Sequence, residues 1–276
     1  MVLIKLNIIN CLKLLLLIID IDIISSSTDQ FVLTDYLPNE KEIIHEKMKI
    51  PRIFHQIWFD FGNGDKVPEN FQNNTRRLLD LHPGWEYKLW NEQEVEKLIK
   101  KAAPEFLNIW KNYSSKIKKH DSGRVIILME YGGVYLDHDF LALKNIERLL
   151  GYNSFVMASE ETNEIRLSNA LIASSKDNLI LSEVLHNMGL PENNQKFVTV
   201  ATGPVLWTNS LKSYLLSHYV KGLVLYHPKY LFPCLTIKGL NCGSFSEEYI
   251  RKQYPDCFLF HSYYTLWWDA TKKEEL

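Results

Sequence analysis

The sequence lacks an excess of positive charge, a long apolar run and closely paired cysteines. Its 31 Lys and Arg against 33 Asp and Glu give a net charge of −2, so no global positive field attracts nucleic acid and we predict no nucleic-acid partner. No stretch reaches the ~18 unbroken apolar residues of a clear membrane span. The four cysteines form no CxxC pair, which argues against a zinc site. Cys234, Cys242 and Cys257 lie near one another in sequence, and both one disulfide and free buried thiols fit this pattern.

The amino-terminal segment differs from the rest of the 276-residue chain. Residues 1–24 are rich in Leu and Ile, but Lys5, Lys13, Asp20 and Asp22 interrupt them. A carboxylate near the bilayer centre is costly, so the segment fits either a weak anchor or signal peptide, or a peripheral extension. Since the lysines precede the longest apolar stretch, we favour a type II anchor in a secretory-pathway membrane, with a cytoplasmic location as the alternative. We assign residues 1–48 to a leader and linker and residues 49–276 to one folded domain.

Segments with strand and helix spacing alternate along this domain. Short β-branched and aromatic runs predict strands, and longer segments with a capping residue or a terminal glycine predict helices. Such alternation is typical of an α/β domain with a largely parallel sheet. The predicted strands cover 52–59, 85–90, 134–136, 155–158, 170–173, 223–226 and 257–260. The predicted helices cover 69–81, 91–100, 121–131, 177–188 and 205–219, with 40–48 as a linker or first helix.

Two carboxylates, Asp137 and Asp139, follow the predicted strand 134–136. In an open α/β sheet, ligands bind at the carboxyl ends of the strands. A carboxylate pair there suits Mg²⁺ or Mn²⁺ holding a diphosphate, and the metal offsets the charge that grows on a departing diphosphate. The Asp-x-Asp pattern alone is weak, since Asp20 and Asp22 in the leader repeat it. A solvated turn is the alternative interpretation.

An acid–base pair precedes that strand. Asp121 and Arg124 are three residues apart, so they share one face of the predicted helix 121–131. Gly132 and Gly133 then turn the chain directly into the Asp-x-Asp strand, which predicts that the pair and the two carboxylates share a site. Arg124 would add a fixed cation for a diphosphate, whereas a local salt bridge is the alternative. Four neighbouring lysines are expected on a solvated face: Lys111, Lys116, Lys118 and Lys119.

The segment from Asp121 to Asp139 resembles the Asp-x-Asp glycosyltransferases of family 32, a group that includes the inositol-phosphoceramide mannosyltransferases. Further segments match in the same order. Residues 50–58 resemble the family's opening strand, I-P-K-I-I-H-Q-I-W, and residues 82–90 resemble its N-P-x-y-x-Y-x-L-W segment. Residues 168–170 fit its S-N-A element, 202–204 its T-G-P loop, and His261 with Trp267 its late H-H-W-x-x-S-W. Each match is weak, but the ordered set covers most of the chain.

The resemblance implies a GT-A-type, Rossmann-like single domain with a mixed, mostly parallel sheet. It implies metal-dependent transfer of a hexose, with retention of configuration, from a nucleotide-diphosphate sugar to a hydroxyl of a glycan, lipid or protein. The implied cofactor is Mn²⁺ or Mg²⁺, with Asp137, Asp139 and His261 as ligands. The implied catalytic residues are Asp121, Arg124, Asp137 and Asp139. The implied donor-binding residues are Gln56, Ile57, Trp58, Asp121, Arg124, Tyr135, Asn169 and Gly203.

The chain departs from the family pattern at several positions. Ser262 and Tyr263 replace the second His and the first Trp of the late motif, and His120 stands where the family commonly has Ser. His261 has an alternative interpretation as a core histidine that ends a strand. Retention requires either a carboxylate nucleophile or front-face attack assisted by the leaving phosphate. The only nucleophile candidates that we identify are Glu160 and Glu161, and we expect both on the surface.

Two functions of other classes compete with glycosyl transfer. A non-catalytic sugar-binding module would use Trp58, Trp267 and Trp268 as stacking platforms. A haloacid-dehalogenase-type phosphatase also carries Asp-x-Asp after a strand, but it expects Thr or Val where Leu141 stands. The intact carboxylates and Arg124 favour the transferase, because a simple sugar-binding module needs neither a metal nor a diphosphate-binding cation.

Overall fold

A computed structural model describes residues 31–60, 66–194, 197–234 and 242–264 of the chain. Its strands are β1 (Leu33–Thr34), β2 (Ile53–Ile57), β3 (Glu86–Trp90), β4 (Gly133–Leu136), β5 (Phe140–Ala142), β6 (Phe155–Ala158), β7 (Leu171–Ser174), β8 (Leu223–Tyr226) and β9 (Leu259–His261). Seven of them form one sheet in the order β1-β8-β6-β7-β4-β2-β3, and β5 pairs with β9. Strand β7 is antiparallel to both neighbours, whereas the other pairs of the large sheet are parallel. The prediction of an α/β domain with a mixed, mostly parallel sheet is confirmed.

Helices cover both faces of this sheet. They are α1 (Glu69–Asp80), α2 (Glu92–Ala102), α3 (Leu107–Asn112), α4 (Lys116–Tyr131), α5 (Glu147–Leu150), α6 (Leu179–Gly189), α7 (Pro191–Asn194), α8 (Val198–Ala201), α9 (Pro204–Leu215) and α10 (Glu247–Gln253). One apolar core, which includes Trp110, Trp207 and Tyr135, packs α2, α3, α4, α6 and α9 against the sheet. A second core on the other face includes Phe54, Trp85 and Tyr226. Along the described ranges, no helix combines the length and the apolar character needed to cross a bilayer.

The connection from α4 to β4 positions the Asp-x-Asp motif. Ser115 caps the start of α4 by accepting from the Ile117 amide, and Gly132 ends it with φ 65°. Gly133 has φ 94°, and a Cβ atom on it would lie 2.6 Å from Ile53 Cγ2 and 2.7 Å from the Ile53 carbonyl oxygen. Only glycine fits this backbone and this close approach. The two glycines therefore set β4 directly beside β2.

His55 of β2 fixes the same turn from the neighbouring strand. Its Nδ1 accepts a hydrogen bond from Trp90 Nε1 at 3.2 Å, so the proton lies on Nε2, which donates to the Gly132 carbonyl at 3.0 Å. The side chain is fully buried, and burial lowers the pKa of His55 to about 4. A neutral imidazole with two hydrogen bonds therefore holds β2, β3 and the glycine turn together.

Several sequence predictions need correction. Of the two alternatives for residues 40–48, the linker agrees with the structure and the helix does not, since the segment forms only two short 3-10 turns, Glu40–Glu42 and His45–Lys47. Helix α4 begins at Lys116 rather than at residue 121, and its first turns bury Lys118, which is 5% exposed. The solvated face predicted for the lysines is therefore wrong at Lys118. Helix α3 was not among the predicted helices.

The disulfide question is settled for the described cysteines. Cys234 and Cys242 form a disulfide with a Cα–Cα distance of 6.0 Å. Cys257 is a free thiol, and burial raises its pKa. All three pack in one small apolar cluster with Leu143, Ile250 and Phe260. Cys11, the leader of residues 1–24, Trp267 and Trp268 lie outside the described residues, so the predictions made for them are not addressed by the structure.

Candidate active site

The Asp-x-Asp motif lies at the carboxyl end of β4, near the middle of the sheet. The Asp137 amide donates to the Ala170 carbonyl at 2.9 Å, which ties the motif to the residue before β7. The Asp137 side chain accepts from the Tyr135 hydroxyl at 2.6 Å. Asp139 immediately precedes β5. Because β4 is buried along its whole length, both carboxylates are attached to a rigid part of the fold.

Helix α4 brings Asp121 and Arg124 to this edge of the sheet. Arg124 Nη2 lies 2.8 Å from Asp121 Oδ1 and 3.6 Å from Asp137 Oδ1. The Asp121 and Arg124 side chains are each 5% exposed, so their pair is a buried part of the site rather than a solvated local salt bridge. The guanidinium carbon stacks 4.7 Å from the Tyr135 ring centroid. Burial would lower the pKa of Arg124, but the surrounding carboxylates, Asp137 first, raise it overall.

The S-N-A and T-G-P segments meet at Asp121. Its carboxylate accepts from Thr202 Oγ1 at 2.7 Å and from Asn169 Nδ2 at 3.2 Å. Arg124 donates to the Asn169 carbonyl through Nη1. Burial raises the pKa of Asp121 to about 6 even though Arg124 and these hydrogen bonds oppose the shift. Two loops far apart in sequence therefore orient one carboxylate and one guanidinium.

His120 supports Arg124 from the preceding turn of α4. Its Nε2 donates to the Ile57 carbonyl at 3.2 Å, which leaves Nδ1 to accept from Arg124 Nη2 at 3.1 Å. Burial, and next the charge of Arg124, hold the pKa of His120 well below its ordinary value. The residue that departs from the family's Ser is therefore a neutral acceptor for the guanidinium.

His261 reaches the motif through the small sheet, where it pairs with Phe140. Its Nε2 lies 3.1 Å from Asp139 Oδ1. Burial would lower the pKa of His261, but the Asp139 charge outweighs burial and raises it. Ser262 Oγ donates to the Asp139 carbonyl at 2.7 Å, and the Tyr264 amide donates to Asp139 Oδ2 at 2.9 Å. The segment after β9 therefore holds both the backbone and the side chain of Asp139.

Asp137, Asp139 and His261 together could hold a cation. One ligand atom from each lies within 4.8 Å of the other two. Burial raises the pKa of Asp137, and the nearby charge of Asp139 adds to this shift against Arg124. Burial acts in the same direction on Asp139, but the charge and hydrogen bond of His261 outweigh it and lower the pKa of Asp139. Among the described residues, His261 Nδ1 is buried without a hydrogen-bond partner. Two carboxylates and an imidazole fit a divalent metal, and three protein ligands leave positions for a diphosphate.

A cavity of ≈ 260 Å³ connects these groups. Nine of the predicted site residues line it: Ile57, Trp58, Asp121, Arg124, Asp137, Asp139, Asn169, Gly203 and His261. Gln56 and Tyr135 are not among the lining residues. Gln56 is 2% exposed and its side-chain amide donates to the Asp137 carbonyl at 3.4 Å. The Tyr135 hydroxyl donates to the Asp137 side chain. The structure therefore places both behind Asp137 rather than on the cavity wall.

Several lining residues were missed by sequence reasoning. His138, between the two aspartates, packs edge-to-face on Trp58 with ring centroids 5.6 Å apart, and Phe71 lies 6.1 Å from it. Burial lowers the pKa of His138 to about 4. Tyr264 packs on Phe71 at 5.5 Å. Glu160 also lines the cavity, which contradicts the surface position expected for it. No local pattern marks these residues, since they meet only through tertiary contacts.

Comparisons with known proteins find similarity to glycosyltransferases. The family described as the glycosyltransferase sugar-binding region containing the DXD motif matches residues 68–156. An uncharacterized glycosyltransferase of Acanthamoeba polyphaga mimivirus is 28% identical over 79% of this chain and 84% of its own length. Inositol phosphoceramide mannosyltransferase 1 of Schizosaccharomyces pombe is 30% identical over 65% of this chain, which spans only 57% of that relative. Among solved structures, the PaToxG glycosyltransferase gives a TM-score of 0.48 at 17% identity, over 73% of this chain and 78% of that one.

Proposed function

We propose that this chain, which is similar in sequence to DXD glycosyltransferases and has an α/β fold with a mostly parallel sheet, transfers a hexose from a nucleotide-diphosphate sugar to an acceptor hydroxyl, in a Mn²⁺-dependent reaction that retains configuration. The observation that carries the proposal is the meeting of Asp137, Asp139 and His261 with Arg124 around one cavity. Neither the sugar-binding module nor the phosphatase agrees with the comparisons.

The proposed cofactor follows from the ligand set. Asp137, Asp139 and His261 are the residues that would hold it. Mg²⁺ prefers oxygen ligands, so the imidazole favours Mn²⁺ over Mg²⁺. When bound, the metal supplies charge that stabilises the departing diphosphate. The close approach of these three ligand atoms, within 4.8 Å of one another, supports this proposal without depending on which donor is used.

The protein's own residues would position the donor and stabilise its charge. Arg124, fixed by Asp121 and by His120, presents a guanidinium of constant charge beside Asp137. A fixed cation at this position would bind the diphosphate and strengthen its hold as negative charge grows on bond cleavage. Asp121 and Asn169, which Thr202 and Arg124 orient, would hold the hydroxyls of the donor sugar. Trp58, on the cavity wall, would contact the nucleoside.

The relatives suggest which donor and acceptor to test first. The Schizosaccharomyces pombe relative is named for mannosyl transfer to inositol phosphoceramide. A nucleotide-linked mannose is therefore the first donor for this chain, and a lipid-linked polyol is the first acceptor. Glycans and proteins are the acceptors to compare with it. A secretory-pathway membrane location through residues 1–24 accompanies this proposal as a separate prediction.

The decisive experiment replaces Asp139 with Asn, a change that keeps an acceptor for the Tyr264 amide. We expect Mn²⁺-dependent hydrolysis of the nucleotide sugar to fall by about 10³-fold or more, since a ligand and a charge are lost together. The thermal unfolding midpoint should stay within a few degrees of the parent. Asp80→Asn, at an exposed position on α1, is the matched control and should leave hydrolysis unchanged. Undiminished hydrolysis in Asp139→Asn would refute the site assignment.

A further inference from the structure

The four carboxylates that line the cavity differ in how many hydrogen bonds and ion pairs they make with other residues. Asp121 accepts hydrogen bonds from Thr202 and Asn169 and pairs with Arg124. Asp137 accepts from Tyr135 at 2.6 Å and lies 3.6 Å from Arg124. Each of these two carboxylates therefore has partners that already hold it within the described part of the chain.

The other two carboxylates that line the cavity, Asp139 and Glu160, differ in the partners that hold them. Asp139 has the Tyr264 amide at 2.9 Å and His261 at 3.1 Å. The Glu160 carboxylate has one close partner among the described residues, Arg166 Nε at 3.4 Å, and the geometry of that contact is not that of a hydrogen bond. Arg166 is 43% exposed and shared with Glu161. Glu160 is therefore the lining carboxylate most available to an incoming hydroxyl.

Glu160 is nonetheless only slightly exposed to solvent. Its side chain is 13% exposed, and a carboxylate that is withdrawn from water and weakly paired is costly to keep. Glu160 follows β6, whose neighbour β7 pairs in turn with β4. The residue therefore lies at the same edge of the sheet as Asn169, before β7, and Asp137, after β4.

The loop that carries Glu160 is rigidly built. The Glu160 amide donates to the Arg166 carbonyl at 2.8 Å, and Ser159 Oγ accepts from the Arg166 amide at 3.0 Å. Ser159 Oγ also donates to the Glu161 carbonyl at 2.7 Å, and Ser159 and Leu167 form an antiparallel bridge. These bonds fix the backbone of Glu160 at the cavity without using its side chain, so the carboxylate stays available to a ligand.

Tyr263 lines the same cavity as Glu160 and His261. Its buried hydroxyl has no hydrogen-bond partner within the described part of the chain. Tyr263 has φ 51°, an unusual backbone conformation for a residue with a side chain, and its ring packs 4.2 Å from that of His261. Tyr263 therefore forms the cavity wall beside His261.

We propose that Glu160 is a catalytic residue that binds the acceptor hydroxyl and takes its proton. The proposal rests on the proposed function. In the transfer step, the acceptor oxygen approaches the anomeric carbon from the same face that the diphosphate leaves, so configuration is retained. The acceptor oxygen forms its bond to that carbon as its O–H bond breaks, and the proton goes to the Glu160 carboxylate rather than to the leaving phosphate. The bond from the anomeric carbon to the diphosphate breaks at the same time, and its electron pair leaves with the diphosphate. Charge and atoms balance without any further reactant.

The test uses the full chain and three variants: Glu160→Gln, Glu161→Gln and Arg166→Met. Water serves as the acceptor, so hydrolysis of a nucleotide sugar with Mn²⁺ is measured together with calorimetric binding of the nucleotide diphosphate. We expect Glu160→Gln to lower kcat by on the order of 10²-fold or more, with donor KM and nucleotide binding unchanged. Glu161→Gln, at a half-exposed neighbour, should match the parent. Arg166→Met should change kcat by less than about threefold, because its ion pairs are partly solvated.

Each other outcome overturns a defined part of the proposal. A raised donor KM with unchanged nucleotide binding would make Glu160 a donor-sugar contact. A glycosylated Glu160 peptide, detected by mass spectrometry after rapid quenching, would make it a nucleophile instead of a base. Equal losses in Arg166→Met and Glu160→Gln would show that the ion pair, rather than the free carboxylate, matters. A parent chain that neither binds nor hydrolyses any nucleotide sugar would count against the proposed function itself.

Discussion

The two ends of strand β4 are built in opposite ways. At its amino end, His55 donates to the Gly132 carbonyl and accepts from Trp90, so that hydrogen bonds between neutral groups hold the glycine turn. At its carboxyl end, Asp137 and Asp139 have charged neighbours, and within the described residues the buried atoms Arg124 Nε and His261 Nδ1 have no hydrogen-bond partner. Three residues, 134–136, separate a close-packed, neutral corner from a charged one. The contrast indicates that the first end fixes the position of the strand and the second end carries the chemistry.

The strongest way to break this contrast is Gly133→Ala. The added Cβ would lie 2.6 Å from Ile53 Cγ2 at a φ of 94°, so steric overlap and backbone strain add. We expect the free energy of unfolding to fall by about 3 kcal/mol or more, measured by urea denaturation. Gly84→Ala is the matched control, since Gly84 also has a positive φ but nothing lies within 4 Å of its added Cβ. A Gly133→Ala protein as stable as Gly84→Ala would refute the close-packing argument.

The pH dependence of stability offers a second test of the amino end. An unfolded chain protonates His55 near its ordinary pKa of 6.5, whereas the folded chain does so only near 4. The unfolded state therefore binds more protons between these values, and the free energy of unfolding decreases as pH falls from about 6.5 to 4. For one histidine the full decrease is on the order of 3 kcal/mol.

The comparison with His55→Gln isolates this contribution from the other buried histidines and carboxylates. At pH 7 the variant should be less stable than the parent by about 1–2 kcal/mol, because two buried hydrogen bonds change. In urea denaturation that gap should shrink as the pH falls, close at about pH 5 and reverse by pH 4, because only the parent loses the roughly 3 kcal/mol that His55 contributes. His218→Gln, at an exposed position, should keep a constant gap. A gap that stays constant for His55→Gln would show that His55 does not stay neutral in the fold.

The smallest expected effect comes from Tyr135, which lies on β4 between its two ends. Tyr135→Phe removes the hydroxyl that donates to Asp137 at 2.6 Å and leaves the rest of β4 in place. We expect kcat/KM for nucleotide-sugar hydrolysis to fall about tenfold, because a hydrogen bond to a charged group is lost. Tyr226, on β8, donates a similar hydrogen bond to the Leu149 carbonyl at 3.0 Å, and Tyr226→Phe removes it. It should lower stability by about 1 kcal/mol and leave kcat/KM unchanged. Equal effects of the two on activity would contradict a special role for Asp137.

Much of the site could be predicted because its parts are close in sequence. Asp121 and Arg124 are one helical turn apart, and the glycine turn carries α4 directly into β4 and Asp137. The period of the helix and the shortness of the turn leave few ways to arrange them. The pairing of Asp121 with Arg124 follows from this local pattern, whereas the bonds from Asn169 and Thr202 that complete the network do not. Lys118 shows that the pattern also did not reveal which face of α4 is buried.

The features of the site that could not be predicted depend on contacts between segments that are distant in sequence. Glu160 and Glu161 are indistinguishable as neighbours in a charged loop, yet the bridge of Ser159 to Leu167 turns only Glu160 into the cavity. His261 could be matched to a motif, but its distance of 3.1 Å from Asp139 results from the pairing of β5 with β9. Gln56, assigned to the donor by resemblance, lies behind Asp137 instead.

The sequence by itself determined the α/β class, the order of the motifs and the residues that carry charge. Periodicity, capping and glycine turns act over a few residues, so they can be read without knowing the fold. Tertiary structure alone decided which charges are buried, which are already engaged and which remain available, because these properties depend on neighbours more than a hundred residues away. Asp139 and His261 are 122 positions apart in the chain and 3.1 Å apart in space.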